Sequence, residues 1–313
     1  MHAIETHTLS HTYGLHGLLT RGHEAVRSLT FAIPQGAACA LLGPNGAGKT
    51  TTLKMLMNLL RPTSGTATIL GVDSRKLAPA QFEQIGYISE NQKMPLQMTI
   101  RDYLAFCRTL YPAWDPALET RLLALFELPP ARKLKHLSRG ERMKASLLSS
   151  LAYRPRLIVM DEPFTGLDPV VRDELLQGVL ELAATGDWTL LISSHDIDDV
   201  ERLIDRVAIL NSGTLLLEEP LDALQHRFRL VHATHPQSAP SSAPPLLPAT
   251  CIAQEHTGTQ SRWIETAYTP QTEQTYKTTH PAATFTFQTM SLKEIYKALV
   301  KNTHITNTAK GAC

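Results

Sequence analysis

The chain has 313 residues, enough for about two domains. Its 30 lysines and arginines nearly balance 29 aspartates and glutamates, a net charge of +1 that argues against a broad nucleic-acid-binding surface. The four cysteines include no C-x-x-C pair, so neither a zinc site nor a disulfide framework is predicted. With no apolar run approaching about 18 residues and no signal-peptide pattern at the start, we expect a cytosolic protein without a membrane span.

Residues 2–33 predict strands joined by a loop, because Leu29, Phe31 and Ile33 alternate with smaller or polar residues. The same region holds five histidines whose spacing fits no metal motif, so exposed strand positions are the simpler interpretation. These histidines are His2, His7, His11, His16 and His23.

A glycine-rich stretch then has the form G-x-x-x-x-G-K-S/T, which is typical of a phosphate-binding loop. Its glycines let backbone N–H groups turn inward around a phosphate. We expect Lys49 to reach the β- and γ-phosphates and the Thr50 hydroxyl to ligate Mg²⁺. A strand over 37–42 and a helix over 52–60 flank the loop, which places the anion at a helix N-terminus. The loop comprises Gly43, Pro44, Asn45, Gly46, Ala47, Gly48, Lys49, Thr50 and Thr51.

Two further strands are predicted over 66–70 and 85–89, the second ending at Glu90. The composition then turns helical, beginning with a helix over 99–110. Its predicted apolar face consists of Ile100, Tyr103, Leu104, Cys107 and Leu110.

Capping signals mark the starts of the next two helices. Asp115 is a predicted N-cap followed by Pro116 at the first helical position. Ser138 and Glu141 form an S-x-x-E capping box that opens a helix to about residue 153.

The apolar run 157–161 predicts a central parallel strand, and it ends in Asp161 followed by Glu162. After a helix over 169–184, a strand over 188–193 leads to His195. Ligands of open α/β sheets bind at the carboxyl ends of the strands, so we expect Thr50, Asp161, Glu162 and His195 to converge. There Asp161 would hold Mg²⁺ and Glu162 would polarise the attacking water.

A hairpin is predicted around the Asn-Ser-Gly turn at 211–213. The composition shifts near residue 221, and we assign 223–249, which is rich in proline and serine, as a linker. Short polar strands are expected over 250–290, followed by an amphipathic helix over 291–301.

A phosphate loop alone is compatible with a kinase, a GTPase or many ATPases, but the order of motifs here resembles the ATP-binding cassette (ABC) ATPases. The resemblance covers residues 1–220. In chain order the matching motifs are Tyr13, the loop 43–51, the strand end at Glu90, the signature Leu137–Glu141, the run 157–162, the turn Gly166–Asp168 and His195.

Three segments are similar to the bacterial export-type subgroup, including antibiotic and multidrug systems, whose ATPase and permease are separate chains. They are Tyr111–Asp115, Leu137–Gly140 and Asp168–Asp173. The resemblance implies an ATPase on the inner face of the cell membrane, attached through an integral membrane permease and without nucleic acid as a partner.

The resemblance also implies an α/β P-loop NTPase fold with a RecA-like core sheet. The cassette would span 1–222, with a helical subdomain inserted over about 91–155. A small α+β accessory region would follow over 250–313.

Two cassettes would dimerise head to tail around two ATP molecules with Mg²⁺. Tyr13 would stack on adenine, while Lys49, Glu162 and His195 would serve hydrolysis of the γ-phosphate. The signature of one chain would face the γ-phosphate bound by the other. That signature consists of Ser138, Arg139, Gly140 and Glu141.

Two positions depart from the family's usual pattern. The signature has Ser-Arg-Gly-Glu instead of Ser-Gly-Gly-Gln, although Ser138 and the second glycine remain. Glu90 replaces the glutamine that binds Mg²⁺ in the family, so we assign Glu90 to Mg²⁺ and keep Gln92 as its substitute. The alternative functions are a soluble ABC ATPase of translation or DNA repair, and a small-molecule kinase, which needs no signature helix.

Overall fold

The computed structural model describes residues 1–14, 22–89, 92–183, 188–235 and 250–310. The chain divides into two compact units, Met1–Glu218 and Glu219–Cys313. Within the described ranges no helix combines the length and apolar character needed to cross a membrane.

The first unit contains ten strands and six α-helices among its described residues, and its last strand runs across the boundary. In chain order they are β1 (His2–Tyr13), β2 (His23–Pro34), β3 (Ala38–Leu42), α1 (Lys49–Leu56), β4 (Ser64–Ile69), β5 (Val72–Asp73), α2 (Pro79–Phe82), β6 (Ile85–Ser89), α3 (Ile100–Leu110), α4 (Pro116–Leu125), α5 (Arg139–Leu151), β7 (Leu157–Asp161), α6 (Pro169–Ala183), β8 (Thr189–Ser194), β9 (Arg206–Asn211) and β10 (Thr214–Pro220).

The central sheet of this unit has the strand order β10-β9-β3-β8-β7-β6. The strands from β9 to β6 run parallel. All five residues of β7 and all six of β8 are buried, which explains the apolar runs 157–160 and 190–192 within them. Because β3, β8 and β7 are neighbours, the three segments that follow them leave the same edge of the sheet.

A second sheet, with the order β2-β1-β4-β5, is antiparallel. The predicted alternation in β2 is confirmed, since Leu29, Phe31 and Ile33 are buried. These residues join one hydrophobic core with Leu41 of β3 and Leu53 of α1. That core fixes the glycine-rich loop between the two sheets.

Helices α3, α4 and α5 lie between β6 and β7 in the chain, where the helical subdomain was predicted. The Asp115 N-cap is confirmed, because its carboxylate accepts hydrogen bonds from the N–H groups of Ala117 and Leu118 at 2.8 and 3.0 Å. Leu110 does not belong to the buried face of α3, contrary to our expectation. It is the last residue of the helix and is 52% exposed.

The segment between α3 and α4 anchors these helices. Tyr111 stacks on Tyr153 with ring centroids 3.8 Å apart. The Trp114 indole N–H donates to Glu119 at 2.6 Å. This accounts structurally for the Tyr-Pro-Ala-Trp-Asp sequence at 111–115.

The second unit is an antiparallel sheet with the order β12-β13-β11-β14 and three helices among its described residues. Its core includes Val231, Ala233, Trp263 and Tyr276. In chain order its elements are α7 (Leu221–Arg227), β11 (Arg229–Thr234), β12 (Cys251–Thr257), β13 (Gln260–Glu265), α8 (Pro270–Thr279), β14 (Thr284–Thr289) and α9 (Leu292–Lys310).

Two predictions for this region are wrong. The linker assigned from residue 223 is occupied at its start by α7 and β11, because Leu224, Val231 and Ala233 are buried. The proline-rich part, 236–249, lies outside the described residues. The strands expected over 250–290 are interrupted by α8, whose start is marked by Thr269 before Pro270. That helix buries only Tyr276, so it lacks the apolar periodicity that reveals most helices.

Candidate functional site

The glycine-rich loop connects β3 to α1, which begins at Lys49 instead of the predicted residue 52. Gly48 has φ +101°, and a Cβ there would lie 2.5 Å from the Ala25 carbonyl oxygen. Gly43 is equally restricted, because a Cβ would lie 2.5 Å from the Leu210 carbonyl oxygen. Both positions therefore require glycine.

The loop borders a cavity of about 250 Å³. Its lining consists of Tyr13, His23, Ala25, Asn45, Gly46, Ala47, Gly48, Lys49, Thr50, Thr51 and Glu162. The α1 N-terminus, with its free N–H groups and positive dipole end, therefore opens toward the cavity and favours an anion there.

Lys49 is only 5% exposed and is held by the loop that precedes it. Its ammonium donates to the carbonyl oxygens of Gly43 at 2.7 Å and Pro44 at 3.3 Å. It also pairs with Glu162 Oε1 at 3.0 Å. A bound phosphate would compete with Glu162 for this ammonium.

Thr50 meets the end of β7 at Asp161. The Thr50 hydroxyl donates to Asp161 Oδ1 at 3.0 Å, and the Ser193 hydroxyl donates to the same oxygen at 2.8 Å. Adjacent ligands of an octahedral Mg²⁺, each at 2.0–2.1 Å, lie about 2.9 Å apart. The spacing and the oxygen chemistry of Thr50 and Asp161 therefore fit Mg²⁺.

Glu162 follows β7 in the left-handed region, at φ +50°. Its N–H donates to the Ser193 hydroxyl at 3.0 Å, which holds this backbone turn. Its Oε2 accepts from the Thr165 hydroxyl at 3.1 Å and lies 2.7 Å from His195 Nδ1. Burial opposes ionisation, but the nearby Lys49 and His195 hold the pKa of the Glu162 carboxyl below its usual range.

The structure thus brings together the four residues that we expected to converge, Thr50, Asp161, Glu162 and His195. Thr165 and Ser193 also contact these carboxylates, and neither was predicted from the sequence. Ser193 could have been predicted, because it lies near the end of the strand that leads to His195. That strand is β8, and in the sheet Ser193 is paired with Asp161. Thr165 could not have been predicted, because a single threonine in a turn has no distinctive pattern.

Tyr13 stands at the rim of the cavity, 41% exposed. Its hydroxyl lies 3.3 Å from the Thr51 hydroxyl. The His11 ring meets it edge-on at 4.5 Å, and His11 Nδ1 lies 3.0 Å from the Arg61 carbonyl oxygen. The prediction that His11 is exposed is therefore wrong, because this histidine is buried against Tyr13.

The signature residues begin α5, and the predicted capping box is confirmed. The Ser138 hydroxyl accepts from the Glu141 N–H at 3.1 Å, and the Glu141 carboxylate accepts from the Ser138 N–H at 2.8 Å. Gly140 is buried, and a Cβ there would lie 3.0 Å from Val171. Of the four signature residues, all of them described, none lines the cavity of the phosphate loop.

Glu90, assigned to Mg²⁺ from the sequence, lies outside the described residues. Gln92 is described, and its Oε1 accepts from the Ser146 hydroxyl of α5 at 2.6 Å. Gln92, the substitute for Glu90, is therefore hydrogen-bonded to α5, the helix that starts with the signature.

Comparison with known proteins agrees with this geometry. A sequence profile described as ABC transporter matches residues 26–165. The chain is 32% identical over 207 residues to the ABC transporter ATP-binding protein YtrB of Bacillus subtilis (strain 168), covering 66% of this chain and 70% of YtrB. It is 32% identical over 228 residues to the bacitracin transport ATP-binding protein BcrA of Bacillus licheniformis, covering 72% of each. It is 30% identical over 208 residues to the Nod factor export ATP-binding protein I of Neorhizobium galegae, covering 65% of this chain and 60% of that protein.

Solved structures show the same fold. The ATP-binding subunit of an ABC transporter superposes with a TM-score of 0.62 at 28% identity, covering 72% of this chain and 92% of that chain. A dimeric ATP-binding cassette in a post-hydrolysis state, bound to ADP and Pi, superposes with a TM-score of 0.60 at 23% identity. The match covers 70% of this chain and 98% of that chain. The predicted α/β P-loop NTPase fold is confirmed.

If Tyr13 stacks on adenine, Tyr13→Ala should weaken the binding of a fluorescent ATP analogue by about 1–3 kcal/mol, the contribution of one base stacked on an aromatic ring. Tyr13→Phe is the matched control, because it keeps the ring and removes only the hydroxyl near Thr51. Its Kd should stay close to that of the unmodified protein. Equal affinity for Tyr13→Ala and the unmodified protein would exclude stacking at this position.

Proposed function

This chain belongs to the ABC transporter ATP-binding proteins, and we propose that it hydrolyses ATP with Mg²⁺ to drive a separate membrane permease that exports its substrate. The observation that carries the catalytic part is the convergence of Lys49, Thr50, Asp161 and Glu162 at one edge of the central sheet. The hydrogen bond from Thr50 to Asp161 and the ion pair of Lys49 with Glu162 lie beside a helix N-terminus that favours a phosphate chain.

Each of these residues has a role that its contacts support. Lys49 and the loop N–H groups would hold the β- and γ-phosphates, while Thr50 and Asp161 would hold Mg²⁺, which when bound neutralises charge on the phosphate oxygens. When the phosphates take the Lys49 ammonium, the Glu162 carboxylate loses its ion pair and can accept a proton from the attacking water. His195, whose Nδ1 lies 2.7 Å from Glu162 Oε2, would contact the γ-phosphate.

The second half of the site comes from another copy of the chain in this proposal. Ser138 and the N-terminus of α5 form an anion-binding helix end that does not line the chain's own cavity. A head-to-tail dimer would bring that helix end to the γ-phosphate bound by the partner. Glu90 and Gln92 remain the two candidates for the coupling residue at the end of β6.

The proposal of export rests on the names of similar proteins, which include bacitracin transport and Nod factor export.

A docking surface for the permease is supported by a cavity of about 270 Å³ beside α3. Leu59 lines it and is 61% exposed, so an apolar side chain stands at the mouth of this cavity, open to a partner. Four tyrosines line the same cavity, namely Tyr87, Tyr103, Tyr111 and Tyr153. The protein would then lie on the inner face of the membrane.

Two substitutions separate nucleotide binding from hydrolysis. Lys49→Ala should lower the ATPase rate at least about a hundredfold, because it removes the cation next to the phosphates. Glu162→Gln should keep the affinity for ATP and stop turnover, because the amide keeps the shape of the carboxylate but cannot take the proton. Steady-state phosphate release and equilibrium ATP binding measure the two effects. Wild-type turnover in either variant would contradict the assigned role of that residue.

The docking surface is tested by Leu59→Asp, with Leu180→Asp as the matched control, since Leu180 of α6 is 41% exposed and does not line the cavity. A charge at position 59 should strongly reduce the fraction of tagged protein that sediments with membranes of the native host. The control should sediment like the unmodified protein. Equal sedimentation of both variants would exclude this surface as the permease contact.

A further inference from the structure

Arg139 stands where a cation is unfavourable for the helix. It is the first residue of α5, and the positive end of the helix dipole disfavours a positive side chain there. The acidic residue of the first turn, Glu141, is engaged elsewhere, with the Ser138 N–H and with Arg132 at 2.8 Å. The contacts of Arg139 must therefore explain its position.

The Arg139 guanidinium crosses from α5 to the turn that follows Glu162. Its Nη2 donates to the Thr165 carbonyl oxygen at 2.5 Å. The group also lies close to Gly166, where a Cβ would meet Nη1 at 2.8 Å and Cζ at 3.2 Å. Gly166 has φ +67°, so the missing side chain serves both the turn and the approach of the guanidinium.

Thr165 continues the connection to the catalytic carboxylate. Its hydroxyl donates to Glu162 Oε2 at 3.1 Å, and its N–H donates to the Glu162 carbonyl oxygen at 3.4 Å. Thr165 is thus held at its carbonyl by Arg139 and holds Glu162 through its hydroxyl. Glu162 itself has a left-handed backbone that needs such support.

We propose that Arg139 is a positioning residue for Glu162, acting through Thr165, and that it links the signature helix to the catalytic carboxylate of the same chain. This inference rests on the proposed ATPase function. It gives a physical reason for arginine at the second signature position, where the family usually has glycine. Arg139 stands between Ser138 and Gly140, at the helix end that would contact the partner's nucleotide. Binding of that nucleotide would therefore affect the residue that orients Glu162.

The test is a double-mutant cycle of Arg139→Ala and Thr165→Val, the latter keeping the shape of threonine without its hydroxyl. Each single variant should lower kcat about tenfold, the effect of losing one hydrogen bond to a charged or oriented group, with KM for ATP changed by less than about threefold. The double variant should also lose about tenfold, because both changes break one connection. Arg139→Lys, which can still donate to the Thr165 carbonyl, should recover most of kcat.

Arg121→Ala is the matched control, because Arg121 is an exposed arginine of α4 outside the site, and its kcat should be unchanged. A second readout is independent of turnover. Glu162→Gln alone should accumulate as an MgATP-dependent dimer on gel filtration, because it binds ATP without hydrolysing it. Arg139→Ala combined with Glu162→Gln should still form this dimer.

Three outcomes would overturn the proposal. They are an additive loss of about a hundredfold in the double variant, a wild-type kcat in Arg139→Ala, and failure of the combined variant to dimerise, which would make Arg139 a direct contact of the partner's nucleotide. Absence of ATPase activity in the unmodified protein would instead refute the proposed function.

Discussion

The pairing of the Glu162 carboxylate is the interaction on which the rest of the site depends. Its two oxygens meet Lys49 from the phosphate loop and His195 from the end of β8. A half-buried carboxylate needs such partners, because desolvation alone would favour its neutral form. They are available because β3, β8 and β7 are adjacent and parallel, so that their carboxyl ends reach one place.

Strong local signals made most of this site predictable from the sequence. The glycine loop, the apolar run of β7 and the Ser138 capping box each depend on short-range chemistry, and each lies where it was expected. The positions that were missed depend on tertiary contacts. Thr165 matters only because a turn brings it under Glu162, and His11 is buried only because Arg61 and Tyr13 surround it.

In the second unit, even more of the structure depends on tertiary contacts that the sequence does not reveal. Its polar composition predicted strands, and three of its four strands do lie in the expected interval. The helix α8 was missed because it buries one residue, and β11 was missed because the composition around it is that of a linker. Trp263, fully buried and packed against Tyr276, anchors this unit, yet a single tryptophan in a polar segment does not define a strand. We retain the proposal that this unit is an accessory subdomain.

The most direct test of a site shared between two chains is whether Ser138 contacts the nucleotide bound by the partner. Protein with Ser138→Arg, which blocks the start of α5, is mixed with Lys49→Ala protein, and heterodimers are detected with MgATP by size and by labels of two colours. The mixture should form an ATP-dependent heterodimer, because the intact phosphate loop of one variant and the intact signature of the other make one complete site. Neither variant alone should form a dimer. If Ser138→Arg protein instead hydrolyses ATP at the wild-type rate as a monomer, the shared site does not exist and the account fails.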